Sequence, residues 1–169
     1  QLMPTYTAPT RDTRFVLNEM LELASYGNLP GFENATQDMI DTMEAMPGVG
    51  LAANQIGVLK RLAVVDASED RGRAVRMANP EILHASVKLI SHDEASHNLP
   101  GVHAEIERPR AVTVRFIGAD GAIREQDFVG IWATSVQHQI DHLKGKMYFD
   151  HLSKTKRDIL LRRAKKLKG

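Results

Sequence analysis

Two histidines, His138 and His142, stand four residues apart in the segment QHQIDHL. Residues at this spacing lie on one face of a helix, so the two imidazoles can bind a single metal ion. In hydrolases that use such a pair, the residue after the first histidine is a glutamate, which takes a proton from the metal-bound water. Here that residue is Gln139, whose carboxamide cannot accept and release a proton at neutral pH. The sequence therefore predicts a metal-binding helix without the base that hydrolysis requires.

A glycine-rich segment, GVGLAANQIG at residues 48–57, offers a second set of chemical groups. A glycine such as Gly50 lets the backbone approach a ligand closely. The Gln55 amide can donate a hydrogen bond to a carbonyl oxygen that becomes negative during hydrolysis. We expect Gly50 to contact the backbone of a substrate and Gln55 to stabilise an oxyanion. A tight turn with an exposed glutamine is the alternative interpretation.

The composition is that of one ordinary globular domain covering residues 1–169, with 43% hydrophobic and 25% charged residues. There is no apolar run of the roughly 18 residues that a membrane span needs, and the polar start lacks the apolar core of a signal peptide. We expect a cytoplasmic protein that does not bind membranes. The absence of cysteine excludes disulfides and every thiolate metal site.

Helical spacing of apolar residues predicts three main helices beside a weaker pattern over residues 13–25. After a Gly- and Pro-rich loop at residues 27–34, Thr36 is the predicted cap of a helix that ends before Pro47. The second helix covers Ile131 to Leu143 and carries the two histidines. Ser153 is the predicted cap of the last.

Strand patterns occupy the middle of the chain. They predict a buried strand over residues 61–66, a short strand that ends at Pro80, and a strand in VKLISHDEAS. Residues 111–130 predict a hairpin whose turn is at residues 119–121. Helices and strands in this order indicate an α+β fold.

The basic residues are concentrated at one end of the chain. Residues 154–168 contain eight basic residues and one acidic residue, a charge of +7, so the remainder carries about −6 of the net +1. Such a helix can bind a polyanion such as ribosomal RNA, or it can be a solvated face without a partner. We expect no DNA partner.

Three segments in order resemble the peptide deformylase family. They are GVGLAANQIG, then Glu94 to Gly101 in place of the family's E-G-C-L-S-x-P, then QHQIDHL in place of Q-H-E-x-D-H-L. The resemblance covers about residues 36–168, whereas residues 1–35 diverge. It implies antiparallel or mixed sheets around a central HxxxH helix, with a basic C-terminal helix at residues 153–169. It also implies an enzyme that uses a metal, typically ferrous iron, to hydrolyse the N-formyl group from the initiator methionine of new proteins.

The aligned residues depart from this family at the reacting centre. Ser96 stands where the family has its cysteine ligand, and a neutral hydroxyl is a poor ligand beside a thiolate. His97 is a possible replacement ligand, but neighbouring side chains on a strand point to opposite faces, so it should face away unless a bulge reorients it. Glu94 is the carboxylate nearest in sequence that could replace the base at Gln139.

Other aligned positions concern the scaffold and the substrate. Arg108 and Asp141 match a family Arg and the Asp of its helix motif, so we expect them to pair and brace the helix. Thr134 and Ser135 stand where mainly apolar residues face the methionine side chain in the family, so the pocket should be more polar.

We therefore expect a deformylase-like protein with impaired or lost hydrolysis that binds formylated peptides and, through its basic helix, the ribosome. The alternative is an active deformylase or related amide hydrolase with an unusual ligand set. If a metal is bound, it is iron, zinc or nickel, held by His138, His142 and a third group.

Overall fold

The computed structural model describes residues 30–169. This part of the chain contains three α-helices, seven strands and two short 3₁₀ turns. The helices are α1 (Pro30–Glu44), α2 (Ile131–Leu143) and α3 (Lys154–Lys168). The strands are β1 (Gly50–Ala52), β2 (Leu62–Val65), β3 (Val75–Ala85), β4 (Leu89–Ser96), β5 (Leu99–Pro109), β6 (Ala111–Ile117) and β7 (Ile123–Val129). The helix predicted over residues 13–25 lies outside the described residues.

Five of the described strands form an antiparallel sheet in the order β1-β2-β3-β6-β7, and β4 pairs with β5 in a separate hairpin. Side chains alternate between the two faces of a strand, and β2 is buried on both of its faces. Leu62 and Val64 pack with α1, whereas Ala63 and Val65 pack with α2. The sheet thus lies between the two helices and fixes the position of α2.

A smaller hydrophobic cluster joins the hairpin to the C-terminal helix. Val102 and Ile106 of β5 pack with Tyr148 in a 3₁₀ turn and with Leu160 and Ala164 of α3. These last two are the buried residues of α3, so most of that helix faces outward. The helix is therefore held by a narrow apolar stripe that leaves its charged residues at the surface.

The first helix begins earlier than the sequence pattern predicted. It starts at Pro30, inside the segment expected to be a loop, because proline is favoured in the first turn of a helix and Glu33 adds a favourable charge there. Thr36 is therefore an interior residue and not the cap. Its hydroxyl donates to the Phe32 carbonyl, 2.8 Å away, one turn earlier.

Two strand predictions were incomplete. Strand β3 continues to Ala85, past the expected end at Pro80, because Asn79 adopts a left-handed φ of 50° and the pairing with β6 shifts register there. This bulge accommodates a proline inside a strand. The short strand β1 and the long strand β5 were not predicted.

The remaining elements were predicted well. Strand β2, the β6–β7 hairpin with its turn between Ile117 and Ile123, and the bounds of α2 are confirmed. Ser153 caps α3 by accepting a hydrogen bond from the Lys156 amide. The architecture is α+β, as expected from the order of the elements. No helix within residues 30–169 is long and apolar enough to cross a membrane.

Candidate active site

A cleft of about 830 Å³ runs along α2. One wall is a face of this helix that carries Thr134, Ser135, His138 and Gln139. The opposite wall combines the loop at residues 46–50 with the turn between β4 and β5. The helical spacing of i, i+1, i+4 and i+5 explains why these four side chains share one face.

His138 and His142 contact each other directly at the edge of this cleft. Their Nε2 atoms are 2.8 Å apart and their ring centroids 4.5 Å apart, with the rings at 70°. At this distance one Nε2 donates a hydrogen bond and the other accepts it. Burial, with the positive charges of His138 and Arg108, holds the pKa of His142 well below its ordinary value. His142 is therefore neutral.

The other nitrogen of His138 belongs to a buried network of charges. His138 Nδ1 lies 2.7 Å from Glu94 Oε1, and Arg108 binds both oxygens of Glu94 at 2.7 and 2.9 Å. Arg108 also donates to Asp141 Oδ2 at 2.8 Å, and His151 Nε2 lies 2.6 Å from the same oxygen. The network links α2 to β4 and β5, so it sets the position of the helix over the hairpin.

The charges in this network stabilise one another. Burial alone would raise the pKa of Glu94, but hydrogen bonds from His138 and Arg108 lower it below its ordinary value. Burial alone would also lower the pKa of Arg108, but Glu94 and Asp141 raise it. Glu94 is thus an ionised structural carboxylate that is already bound on both oxygens. It contacts His138 at Nδ1, on the side of the ring away from His142.

Gln139 lies against Gly50 in the wall of the cleft. A Cβ atom at residue 50 would be 2.6 Å from Gln139 Nε2 and 2.6 Å from Ser135 Oγ. Only glycine lets β1 approach α2 this closely. Gln139 is 4% exposed, and its Oε1 atom is buried without a hydrogen-bond partner in the described residues.

Ser96 and Gln55 meet at Asn98 on the opposite wall. The backbone N–H of Asn98 lies 3.4 Å from Ser96 Oγ, and the Ser96 hydroxyl lies 3.5 Å from the side-chain oxygen Oδ1 of Asn98. Both contacts are long for hydrogen bonds. Gln55 Nε2 donates to Asn98 Oδ1 at 2.9 Å, and its Oε1 accepts from the Ala52 amide at 2.9 Å. The Gln55 donor that was expected to face an oxyanion is therefore bound to Asn98 in this structure.

His97 lines the cleft and does not face away from it. The pairing of β4 with β5 shifts register between Glu94 and Ser96, and β4 ends at Ser96, so His97 lies in the turn and not on the strand. The strand alternation that predicted the opposite orientation does not apply in a turn. Its Nε2 atom would be 2.8 Å from a Cβ at Gly48, so the ring packs over that glycine.

The residues present do not fit the divalent metal that the family resemblance implies. The two Nε2 atoms converge to 2.8 Å, as two ligands of one ion would, but the aligned third donor is a neutral hydroxyl. Within residues 30–169, no group of three or more His, Cys, Asp or Glu side chains is placed to hold a metal ion. His97 lines the cleft without completing such a group.

The sequence assigned no role to three residues of the site. Asn98 binds Gln55, His151 binds Asp141, and Lys168 at the end of α3 lines the cleft. These placements depend on the tertiary fold, since Asn98 is 43 residues from Gln55 and His151 lies beyond the end of α2. Thr134 binds His92 Nδ1 through its hydroxyl at 2.8 Å and adds polarity to the helix wall.

Comparisons with known proteins agree with this architecture. The family model described as polypeptide deformylase matches residues 16–158. The peptide deformylase of Agrobacterium fabrum is 41% identical over 128 residues, 75% of each chain, and that of Mesorhizobium japonicum is 43% identical over 132 residues, 77% of this chain and 75% of the relative.

Solved structures give the same result. A peptide deformylase from Legionella pneumophila has a TM-score of 0.76 and 36% identity, covering 83% of this chain and 82% of its own. The peptide deformylase from Thermus thermophilus has a TM-score of 0.75 and 30% identity, covering 96% and 87%. This chain therefore belongs to the polypeptide deformylase family.

Proposed function

We propose that this protein binds the formylated amino terminus of peptides in its cleft and hydrolyses the formyl group far more slowly than a typical member of its family. The observation that carries the proposal is Gln139, a carboxamide next to His138 where the chemistry requires a proton acceptor. Loss of a general base usually lowers a rate by about 10²- to 10⁴-fold.

Glu94, the carboxylate that lies against His138 in the cleft, is a poor substitute for the missing base. Glu94 is the carboxylate that contacts His138, and Arg108 binds both of its oxygens. Its lowered pKa makes it a weak base, and it touches the wrong nitrogen of the ring. This supports a structural role for Glu94.

The ligand set supports the same proposal. A serine hydroxyl at residue 96 is a much weaker ligand than a thiolate, and the chain has no cysteine. Two imidazoles alone bind a divalent ion weakly compared with a complete set of three protein ligands. We propose that metal occupancy is low for this reason.

A second candidate function is active deformylation with an unusual ligand set of iron, zinc or nickel. The relatives in Agrobacterium fabrum and Mesorhizobium japonicum are both named peptide deformylase, which favours this candidate. The placement of His97 in the cleft gives it a further nitrogen near the histidine pair. The two candidates differ in metal content and in rate.

The decisive experiment compares the wild type with a Ser96→Cys, Gln139→Glu double variant. Metal is measured in protein purified without added metal, and turnover of formyl-Met-Ala is measured with added iron, nickel or zinc. We expect the wild type to hold far less than one equivalent and the double variant about one. We expect the turnover of the double variant to exceed that of the wild type by about 10²-fold or more.

The matched control carries the same two changes at exposed positions, Ser91→Cys and Gln126→Glu. It should gain neither metal nor turnover. Titration calorimetry with formyl-Met-Ala tests the binding half of the proposal. A wild type with one equivalent of metal and turnover within about tenfold of the double variant would establish the second candidate.

The C-terminal helix supports a further part of the proposal, association with the ribosome. All eight basic residues of α3 are exposed, and the helix is anchored through its narrow stripe of Leu160 and Ala164. Phosphate groups of RNA are suitable partners for such a surface. This association implies a cytoplasmic location, which belongs to the same proposal.

Cosedimentation with ribosomes tests it. Neutralising Arg162, Arg163, Lys165 and Lys166 together should abolish cosedimentation at low salt, because each cation contributes to phosphate binding. Cosedimentation that survives this change would reduce α3 to a solvated helix face.

A further inference from the structure

The side chain of Gln139 is buried without the hydrogen bonding that a buried amide normally has. It is 4% exposed, and Oε1 has no partner among residues 30–169. A buried acceptor left without a donor is destabilising, so such groups are rare in folded proteins. In the wall of a cleft, a ligand can supply the missing donor.

A neighbouring glutamine on the same helix shows the contrast. Gln137 is also buried, and its Nε2 donates to the carbonyls of Pro109 and Ala133 at 2.9 and 3.0 Å. Its amide therefore has a structural role that the fold alone satisfies. Gln139, two residues later, faces the cleft, and its oxygen has no such partner in the described part of the chain.

The amide of Gln139 can present its oxygen to a ligand. The last torsion of a glutamine side chain has a broad energy minimum, so the amide can rotate without moving the rest of the residue. The space beside it belongs to the cleft, where Gly50 provides no side chain. Rotation towards the cleft would bring Oε1 within reach of a bound donor.

The charges around the cleft select the kind of donor. A neutral carboxamide cannot offset the charge of an ammonium group, and the nearby Glu94 is already bound by Arg108 and His138. Lys168 lines the same cleft and adds positive charge, and Asp93, which also lines it, is paired with His103 at 2.9 Å. A neutral amide N–H, as in a blocked amino terminus, suits this environment better than a free amine.

We propose that Gln139 is a recognition residue whose Oε1 accepts the amide N–H of the N-formyl group. This inference rests on the proposed function and deepens it, because it names the atom that recognises the blocked terminus. The position that would hold a base thus serves to bind the formamide intact. Binding then favours a neutral acceptor at residue 139, whereas hydrolysis requires a base there.

The test is a Gln139→Met variant, which keeps the length of the side chain and removes the acceptor. Calorimetry with formyl-Met-Ala should show a Kd about tenfold higher or more, the usual value of one lost hydrogen bond. The same probe methylated on the formamide nitrogen should bind wild type about tenfold more weakly, and the variant should not distinguish the two probes.

Thermal unfolding without peptide separates recognition from a structural role. Because Oε1 has no partner within residues 30–169 of the free protein, Gln139→Met should leave Tm unchanged or raise it by about 2–4 °C. A Gln126→Met control at an exposed strand position should change neither Kd nor its preference between probes.

Three outcomes would overturn the inference. Equal affinity of wild type and Gln139→Met for formyl-Met-Ala would do so while leaving the proposed function standing. A large fall in Tm would show that the amide is structural. If wild type binds no formylated probe, the proposed function fails, and the inference fails with it.

Discussion

The two sides of His138 differ in how completely their polar groups are bound. On the Nδ1 side, Glu94, Arg108 and Asp141 form a closed set of contacts between 2.7 and 2.9 Å, with both oxygens of Glu94 in use. On the cleft side, Gln139 Oε1 has no partner in residues 30–169, and the contacts of Ser96 are 3.4 and 3.5 Å long.

This difference separates the groups that stabilise the fold from the groups that face a ligand. The charged network joins α2 to the β4–β5 hairpin, so its loss should disturb the whole protein. On the cleft side, Gln139 and Ser96 are neutral and weakly bound, so their loss should change binding more than stability. Stability measurements on the two sides can therefore separate scaffold from recognition.

The largest expected effect is at Arg108. An Arg108→Met variant leaves Glu94 and Asp141 without their cation, and an uncompensated buried charge costs about 3–5 kcal/mol of unfolding free energy. Urea unfolding at neutral pH measures it.

The matched control is Arg115→Met. Arg115 pairs with Glu81 at 2.7 Å, but both side chains are about half exposed, so the loss should be below about 1 kcal/mol. Equal losses at the two arginines would show that the buried network contributes no more than a surface ion pair.

The next effect concerns the contact between β1 and α2. A Gly50→Ala variant places a methyl group 2.6 Å from Gln139 Nε2 and Ser135 Oγ, and such overpacking costs about 1–3 kcal/mol. Urea unfolding measures this cost, and calorimetry with formyl-Met-Ala should show weaker binding because Gln139 must move. In Gly31→Ala, where the new methyl meets nothing within 4 Å in α1, stability should instead rise by about 0.5–1 kcal/mol. A Gly50→Ala variant as stable as wild type would mean that the cleft adapts freely.

The pH dependence of stability sharpens the comparison further. The folded pKa of Glu94 is lowered by hydrogen bonds from His138 and Arg108, which outweigh its burial, so its contribution is full above the ordinary pKa of 4.5 and is lost as pH falls below it. The difference in unfolding free energy between wild type and Arg108→Met should therefore be largest near pH 6 and shrink towards pH 3. Urea unfolding at several pH values measures it. If the difference in unfolding free energy does not change with pH, ionised Glu94 does not contribute to the stability that Arg108 provides.

Much of the fold could be predicted because the spacing of apolar residues and the capping of helices are local features of the sequence. The apolar spacing of α2 and the Ser153 cap lie within a few residues of the elements that they define. Strand β5 was not predicted because its exposed residues outnumber its buried ones. Strand β3 was predicted only as far as Pro80 because the bulge at Asn79 interrupts its pattern. Both depend on pairing with distant strands, which sequence spacing does not encode.

The site divides in the same way. His138, Gln139 and His142 could be found from spacing on one helix. The position of His97 depends on a register shift, and the contact of Gln55 with Asn98 joins residues 43 apart in sequence. Reasoning along one strand predicted the wrong orientation for His97, because a turn interrupts the alternation of side chains.

The smallest expected effect is at Ser96. Among residues 30–169 its hydroxyl makes only the two long contacts with Asn98, so Ser96→Ala should change the unfolding free energy by about 0.5 kcal/mol or less. The Ser153 contact is also 3.4 Å long, but it satisfies an N–H group in the first turn of α3 that has no partner within the helix, so Ser153→Ala should cost about 1 kcal/mol. Urea unfolding of both variants gives the comparison directly. A greater loss at Ser96 than at Ser153 would place Ser96 with the scaffold side of His138, and the division between a bound network and a weakly bound cleft would no longer hold.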